Sequence, residues 1–589
     1  MSREMLRVRA DGAEAGAHRT IAAALAAAPD GAVVTVAPGR YTEQLVITRL
    51  VTVVAAEGPG SVQVHSDVGS TVSVAAGAVT LSDLDISGGD ADLPAVDVYG
   101  GEAALDGCRV DGAGWTALLA RGSGALAARN CRIHNGSGAG VVVTSEAAGS
   151  LEGCAFPEIA STAVVAGELG RLTVRGCEID GPQGNGVCLN GRTVATVEET
   201  AIRGSRKPAI VVEQEAQARF RAVQVTDSAT LDVYLTGSGP VSFEGCGFTG
   251  AGAQAVHVAG AGAPELRDCM LSAARHAVQV TGNARPTLVD CRVSDSPVGV
   301  LADGSSRPEL NRLRVRGAIE AAVQVTGEAQ VRCEGVDVAD SAGFTVAGAQ
   351  ARLVLAHAVC AVPDGPALVA TDEADATLDD VVVRDGVGVL LESGARVTGT
   401  AVVLQTCVSL HAGSLCFSDF SPRYAVMTCG SASPSAVGPS AINVPSTSTA
   451  RRTQKRRTSA MRCSIITVAH DRDWLMSIRQ SRTSVRSCGM RPANSSSSST
   501  ALGSAAMIRA SSTSLAVTGL RSRISRSASP SSPSDRSASC PAPPTRRSTR
   551  RPRAVRASRC RSPGGRGRGA PPGTCATARR GSAGAEPCG

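Results

Sequence analysis

The amino-acid sequence predicts an all-β protein, a single-stranded right-handed parallel β-helix of about 23 residues per coil. Cysteine recurs at intervals of 23 residues, at Cys108, Cys131, Cys154 and Cys177, and again at Cys246 and Cys269. A second apolar motif recurs about a dozen residues after each of these positions, and aromatic residues make up only 2% of the chain. A short period sustained over so many repeats indicates a solenoid, in which one structural unit stacks on copies of itself.

The second motif is a short β-strand. It is rich in β-branched residues, and Gly, Ser, Asn or Asp closes it. Its members include Ala95–Val98, Gly140–Val143, Gly186–Leu189, Ala255–Val258, Ala277–Val280, Ala322–Val325 and Gly388–Leu391. Each repeat is too short for a four-stranded propeller blade, which needs about 40 residues, and none contains a long helical pattern. One repeat therefore forms one coil, and crossover connections between parallel strands are right-handed in nearly all proteins.

The cysteine spacing predicts that these side chains stack above one another inside the coils. Thr200, Val223 and Leu313 occupy the same register, as expected of a packing position that accepts small or apolar side chains. Stacking holds the Cβ atoms of neighbouring coils about 4.8 Å apart, whereas a disulfide needs about 3.8 Å. Zinc sites commonly use Cys-x-x-Cys pairs, and the repeats contain none. We therefore predict a structural role for the cysteines, with no metal and no cofactor.

Composition divides the chain into an N-terminal segment with a capping helix (1–29), the β-helix (30–403) and a basic Ser/Arg-rich tail (404–589). Thr20 is the expected N-cap of the helix, which ends at Ala28. From Thr406 onward there are 28 Arg and one Lys against five acidic residues, or +24; the whole chain is +7, so residues 1–405 carry 7 − 24 = −17. The tail lacks a periodic apolar pattern and is predicted to be disordered. Its abrupt start also fits a frameshift near residue 405, and both interpretations stay open.

The sequence also gives expectations for compartment and partners. No apolar run approaches 18 residues, and the N-terminus lacks the apolar region that follows the basic residues of a signal peptide. We expect a cytoplasmic protein that does not contact a membrane, with secretion as the alternative. Nucleic acid is an expected partner only if the basic tail is genuine.

Residues 19–47 contain a helix, a turn and a strand in a specific arrangement. Their distinctive residues are Thr20, Ile21, Ala24, Pro29, Gly31, Pro38, Gly39, Tyr41 and Glu43. The segment resembles the start of pectin methylesterases and other pectin-lyase-like β-helix repeat proteins, where a T-I-x-x-A helix, an A-P-x-G turn, a strand and a P-G-x-Y-x-E motif precede the first coil. The resemblance implies a right-handed β-helix whose first strand edges are covered by the helix.

The catalytic motifs of those enzymes are absent. The chain has no Gln-Asp dipeptide, and its Asp-Phe dipeptide, Asp419-Phe420, lies beyond the repeats. Asp379 and Asp380 are adjacent carboxylates, but alternation along a strand predicts that at most one of them faces solvent. No catalytic residue is therefore predicted.

The outward position of the second strand provides a candidate binding site. In successive coils it includes Tyr234, His257, Gln279 and Gln324, with Leu301 interrupting this polar stripe. An ordinary solvent-facing surface would have the same pattern. Two functional hypotheses follow: a non-catalytic scaffold that binds a glycan or a protein partner along one face, or a carbohydrate-active enzyme, similar to a pectin esterase or lyase, that acts on an acidic polysaccharide.

Overall fold

The chain winds into a parallel β-solenoid in which each coil contributes a strand to each of three sheets. The structure, a computed structural model, describes residues 4–11, 14–385, 387–404, 409–410, 414–418 and 464–467. The chain divides into two compact units, Met1–Thr518 and Gly519–Gly589, and every described residue lies in the first. We name the sheets A, B and C in the order in which a coil visits them.

Strands of one sheet are parallel and pair with the equivalent strands of the preceding and following coils; in sheet A the final pair is antiparallel. Sheet A contains Met5–Val8, Ala32–Val36, Val51–Ala55, Ala78–Ser82, Glu102–Asp106, Ala125–Arg129, Ala148–Glu152, Arg171–Arg175, Val194–Glu198, Gln217–Arg221, Val241–Glu244, Glu265–Arg267, Thr287–Val289, Glu309–Asn311, Gln330–Glu334, Arg352–Ala356, Asp375–Asp379, Arg396–Thr400, Ser414–Ser418 and Ser464–Thr467. Sheet B contains Gly39–Thr42, Val62–Ser66, Leu84–Gly88, Arg109–Gly112, Arg132–Asn135, Ala155–Pro157, Glu178–Asp180, Ala201–Arg203, Gln224–Thr226, Gly247–Ala251, Met270–Ala273, Arg292–Ser294, Arg314–Arg316, Asp337–Ala339, Val359–Ala361, Val382–Val383 and Val403–Leu404. Sheet C contains Leu45–Ile47, Val72–Val74, Val96–Val98, Thr116–Ala120, Ala139–Val143, Val164–Ala166, Val187–Leu189, Ile210–Val212, Leu231–Leu235, Gln254–Val258, His276–Val280, Val298–Ala302, Ala321–Thr326, Phe344–Ala347, Pro366–Thr371, Val387–Leu391 and Ser409–Leu410.

The predicted cysteine register is confirmed at the corner between sheets A and B. The peptide N–H of Arg132 donates to the Cys108 carbonyl at 3.0 Å, and the same bond links each later coil to the one before it. The residue before each register position has a left-handed backbone at nearly every coil, as at Gly153 (φ 61°), and this turns the chain into sheet B. The ten cysteines from Cys108 to Cys360 are buried, and none of them forms a disulfide. Burial raises the pKa of the Cys360 thiol to about 12, as expected of an unreactive packing residue.

A single apolar core fills the coils along the solenoid. Three of its aromatic residues cluster in neighbouring coils: the rings of Phe220 and Phe243 stack at 4.7 Å, and Phe248 meets Phe243 edge to face at 5.5 Å. Elsewhere Val and Ala dominate, because stacked coils leave room inside only for small and β-branched side chains. The low aromatic content of the sequence therefore reflects the small side chains that fill this core.

Asp232 departs from this apolar interior. At the corner where each coil enters sheet C, the equivalent position in the coils on either side is Ala209 and Ala255. The Asp232 side chain is fully buried, and neither carboxylate oxygen has a hydrogen-bond partner. Burial raises its pKa to about 8; the nearby Ser228 hydroxyl opposes this rise and the charge of Asp227 adds to it. Asp232 is therefore a neutral carboxylic acid at pH 7.

The N-terminal helix forms where the sequence predicts it and covers the first coil. It spans Ile21–Ala27, and the Thr20 hydroxyl accepts a hydrogen bond from the Ala23 N–H at 3.1 Å. Glu43, from the P-G-x-Y-x-E motif, accepts hydrogen bonds from the N–H groups of Ile21 at 2.9 Å and Ala22 at 2.7 Å. A carboxylate at this end also complements the helix dipole. This contact gives a physical reason for the motif.

The outer face of sheet A carries a column of alternating charges. Consecutive coils place acidic and basic residues directly beside each other, in the order Asp106, Arg129, Glu152, Arg175, Glu198, Arg221, Glu244 and Arg267. Arg129 and Glu152 form an ion pair at 3.2 Å, and Arg221 and Glu198 form one at 3.1 Å. Opposite charges therefore meet across the strand pairs of sheet A. We call this column the charge ladder.

Three features of the structure differ from what the sequence predicts. Both Asp379 and Asp380 are exposed, so the prediction that at most one faces solvent is wrong; the left-handed backbone of Asp380 (φ 50°) interrupts the alternation. The strand Met5–Val8 of sheet A lies before the predicted domain boundary at residue 30. Strands Ser414–Ser418 and Ser464–Thr467 lie within the tail predicted to be disordered, and most of that tail is outside the described residues.

Candidate functional site

The structure places the four predicted site residues in one outward column of sheet C. Tyr234 pairs with His257, and His257 pairs with Gln279. Leu301 follows Gln279, and Gln324 follows Leu301. From Tyr234 to Gln324 the column rises four coils, or about 19 Å at the usual spacing of paired strands. The alignment is as predicted, and the role of these residues in binding stays a prediction.

Contacts between neighbouring coils hold the first three of these side chains in place. The rings of Tyr234 and His257 lie 5.3 Å apart, tilted by 54°. His257 Nε2 lies 3.1 Å from the Thr281 hydroxyl, and Gln254 Nε2 donates to Gln279 Oε1 at 2.8 Å. All of these side chains are half-buried, so each is partly accessible from the surface. The stripe is thus a preorganised row of ring and amide groups.

Sequence reasoning missed two residues beside this stripe. Gln254 and His276 pair with each other at the first position of their strands. Nδ1 of His276 is buried without a hydrogen-bond partner among the described residues. Strict alternation counted back from the outward residue His257 places Gln254 inside. The structure breaks this alternation, because Ala255 and Val256 are both buried where the chain turns into sheet C. Gln254 and His276 are 22 residues apart, which is about one coil, and this interval is the feature of the sequence that could have identified them as neighbours.

The polar part of this face has no charge at neutral pH. Burial, with a smaller effect from His276, lowers the pKa of His257 below its usual value. Burial and the charge of Arg275 lower the pKa of His276, against a small opposing effect of Glu320. Both imidazoles are therefore neutral at pH 7. The stripe is an uncharged patch on a β-helix whose net charge is −17 by the count above.

The same column is apolar and recessed toward the N-terminus. Leu119 and Val142 point away from the main core and form a separate small cluster with Ala139. Leu119 is only 5% exposed although it lies on the outer face. Beside it, Arg121 makes two hydrogen bonds to Asp97, at 3.0 and 2.9 Å, and lies 5.0 Å from the Tyr99 ring centroid.

A separate, arginine-rich cavity of about 610 Å³ lies at the corner between sheets A and B. Its lining includes Arg221, Arg267, Arg292, Arg312 and Arg314, together with Glu244, Asp268 and Asp290. Arg312 makes two hydrogen bonds to Asp290, at 2.7 and 2.6 Å, and its guanidinium holds the pKa of that carboxyl below its usual value. Five cations against three anions make this a locally basic site.

Two further features concern metals and membranes. Among the described residues, no group of three or more His, Cys, Asp or Glu side chains is arranged to hold a metal ion. In the same part of the chain, no helix is long and apolar enough to span a membrane.

Comparison with known families agrees with the architecture. The family described as right handed beta helix region matches residues 94–231, 163–314 and 231–359, which overlap. Together with the three parallel sheets, this match confirms the predicted right-handed parallel β-helix. No curated protein matches the chain significantly in sequence.

Several solved structures are similar to the chain. With the catalytic domain of a GH87 α-1,3-glucanase in complex with nigerose it shares 11% identity over 58% of this chain and 65% of that one, with a TM-score of 0.31. A PL6 family alginate lyase is 8% identical over 72% of this chain and 99% of its own, with a TM-score of 0.25. Pectate lyase Pel9A is 10% identical over 56% and 78%, with a TM-score of 0.22. At these values the likeness concerns the fold alone.

Proposed function

We propose that this protein is a β-helix scaffold whose sheet C binds a neutral glycan along its outer face without hydrolysing it. The row formed by Tyr234, His257 and Gln279 carries the proposal, because it presents an aromatic ring, an imidazole and an amide from three consecutive coils. The ring contact of Tyr234 with His257, and the hydrogen bonds of His257 with Thr281 and of Gln279 with Gln254, fix the row before any ligand arrives. Little side-chain entropy is therefore lost on binding.

The chemistry of the row suits sugar hydroxyls. Tyrosine offers an apolar ring with a polar tip, and glutamine offers both donors and an acceptor. Neighbouring groups in the row are about 4.8 Å apart along the solenoid, so an extended chain lying parallel to the axis meets one group after another.

Charge favours a neutral ligand over an acidic one. The net charge of −17 on residues 1–405 repels a polyanion at long range. The row itself has no cation that would offset this repulsion, since both of its histidines are neutral at pH 7. It also has no pair of carboxylates of the kind that glycosidases use, which supports binding without hydrolysis.

The arginine-rich cavity favours a second candidate function. An enzyme that acts on an acidic polysaccharide, like a pectin esterase or lyase, needs cations that hold the carboxylates of its substrate, and this cavity has five arginines. Most of them already pair with acidic neighbours, as Arg292 does with Asp268 at 3.3 Å and Arg312 with Asp290. We therefore rank this candidate below the neutral-glycan scaffold.

A binding experiment separates the two. The full-length protein is applied to an array of neutral and acidic polysaccharides, and the affinity for each bound glycan is then measured by calorimetry for the wild type, Tyr234→Ala and Gln279→Ala. Gln330→Ala, an exposed glutamine on sheet A, is the matched control. We expect binding of a neutral glycan that Tyr234→Ala weakens about fivefold, since stacking is worth roughly 1 kcal/mol.

Other results would contradict the proposal. Binding of acidic glycans alone, weakened by Arg314→Ala and not by Tyr234→Ala, would favour the arginine-rich cavity. Glycan turnover by the wild type would favour the enzyme. Retention of a protein partner, with no glycan bound, would exclude the glycan ligand.

A further inference from the structure

A second polar column lies on the outer face of sheet B, near the N-terminal end. In consecutive coils it contains His65, Ser87, Asp111 and His134. The Ser87 coil is six coils away from the Tyr234 coil, or about 29 Å along the axis. This column lies on a different sheet from the proposed glycan face, so its chemistry does not depend on that face.

His65 joins a serine and an aspartate by hydrogen bonds. Its Nδ1 lies 2.9 Å from Ser87 Oγ, and its Nε2 lies 2.8 Å from Asp67 Oδ1. The His65 side chain is only 18% exposed, so sheet B holds the ring, while Asp67 is largely in solvent. When Nε2–H donates to Asp67, Nδ1 carries no proton and accepts the Ser87 hydroxyl.

The serine borders a small cavity whose lining contains two arginines and two aspartates. A cavity of about 210 Å³ is lined by Arg40, Gln63, His65, Asp85, Ile86, Ser87, Arg109 and Asp111. Arg40 and Arg109 belong to the neighbouring outward column of the same sheet. Their guanidinium groups are donors that can stabilise negative charge developing beside Ser87, and the volume suits a short acyl group.

From this geometry we propose that Ser87, His65 and Asp67 form a hydrolytic site for short-chain acyl esters. A nucleophilic hydroxyl, a base within hydrogen-bond distance and a carboxylate that orients the base are what serine hydrolysis requires. In His65 the nitrogen beside the serine is Nδ1 and the nitrogen beside the carboxylate is Nε2, the reverse of the usual arrangement. Either ring nitrogen can accept and return the proton, so the chemistry is the same. Ser87 and His65 are the catalytic residues, and Asp67 is a positioning residue.

The reaction follows the ordinary course of acyl transfer. Ser87 Oγ forms a bond to the ester carbonyl carbon as its proton passes to His65 Nδ1, and the carbonyl oxygen becomes an oxyanion beside the arginines. The oxyanion collapses, the bond to the alkoxy oxygen breaks, and His65 returns the proton to the leaving alcohol. Water then attacks the acyl-serine with His65 as base, releasing the carboxylic acid and restoring Ser87.

The first test uses covalent labelling of the full-length protein. The oxygen of an activated serine attacks the phosphorus of a fluorophosphonate and displaces fluoride. Peptide mass mapping then locates the phosphonylated serine. We expect labelling at Ser87, and its loss in Ser87→Ala and His65→Gln. Ser294→Ala is the matched control, because Ser294 is exposed on the outer face of the same sheet and no imidazole is hydrogen-bonded to its hydroxyl.

The second test is hydrolysis of p-nitrophenyl acetate. We expect Ser87→Ala to lower kcat/KM at least 100-fold, and Asp67→Asn to lower kcat about tenfold with KM unchanged. Melting temperatures within about 2 °C of the wild type exclude misfolding as the cause, since Ser87 and Asp67 are surface positions. Wild-type Ser87 that is labelled no faster than Ser294, or hydrolysis unaffected by Ser87→Ala, would overturn the proposal.

Discussion

Replacing Asp232 by alanine should make the protein more stable at neutral pH. Alanine is the residue at the equivalent position of both neighbouring coils, so the backbone already accommodates it there. The change removes a fully buried carboxyl group that has no hydrogen-bond partner. Buried polar groups of this kind destabilise the folded state, and ionisation makes the cost larger.

The size of the effect depends on pH in a calculable way. The pKa of Asp232 is about 8 in the folded protein and near 3.9 in an unfolded chain. Between these two values the folded state keeps a proton that the unfolded state has lost, so stability falls as pH rises from about 4 to 8. At pH 7 the loss is about 4 kcal/mol, since each step of one pH unit is worth about 1.4 kcal/mol. The small cavity left by alanine costs about 1 kcal/mol, so the net gain is about 3 kcal/mol.

The measurement is a thermal melt at pH 5, 7 and 8.5, followed by circular dichroism. For a solenoid of nearly 400 residues the unfolding entropy is about 0.8 kcal/mol/K, so 3 kcal/mol corresponds to about 4 °C. We expect Asp232→Ala to melt about 4 °C above the wild type at pH 7, with a larger difference at pH 8.5 and a small one at pH 5. Glu178→Gln, at an exposed position two coils away, should keep the wild-type pH dependence. Melting curves of wild type and Asp232→Ala that stay equally far apart at all three pH values would refute this reasoning.

Two further changes test the ends and the interior of the solenoid. Glu43→Ala removes the acceptor of the Ile21 and Ala22 N–H groups and should destabilise the cap by about 1–2 kcal/mol in urea melts, while Glu57→Ala, at an exposed site, should have no effect; equal midpoints for the two variants would count against the capping role. Cys154→Thr should leave the melting temperature within about 2 °C of the wild type, because at the same register the Thr200 hydroxyl donates to the Glu198 carbonyl at 2.8 Å; a loss of more than about 5 °C would show that the register needs sulfur.

The parts of the fold that repeat could be predicted from the sequence. The cysteine register, the strands of sheet C and the Thr20 cap each follow from spacing or from a local motif, and each is present. The strands of sheet A were harder to define, because their outer residues are charged in some coils and small in others. Asp232 was not recognised as buried, since a single acid in a column of Ala and Gly looks like a surface residue when the turn into the sheet is unknown.

The candidate sites could be predicted only in part. The row of Tyr234, His257 and Gln279 was found because all three are the outward residue of a recognised motif. The pairing of His65 with Ser87 was missed, although their 22-residue separation equals one coil. It depends on side-chain direction at a position of sheet B where the sequence motif is weak, and only the register of the folded sheet brings the two together.

Because of the charge ladder of sheet A, adding or removing an odd number of coils has a different effect from adding or removing an even number. From Asp106 to Arg267 the sign changes at every coil. Removing one complete coil would set glutamate beside glutamate or arginine beside arginine, whereas removing two would restore alternation. Each exposed contact is worth only about 0–1 kcal/mol. Adding or losing a single coil anywhere in this region would nevertheless place like charges side by side. The ladder thus favours changes in length by pairs of coils.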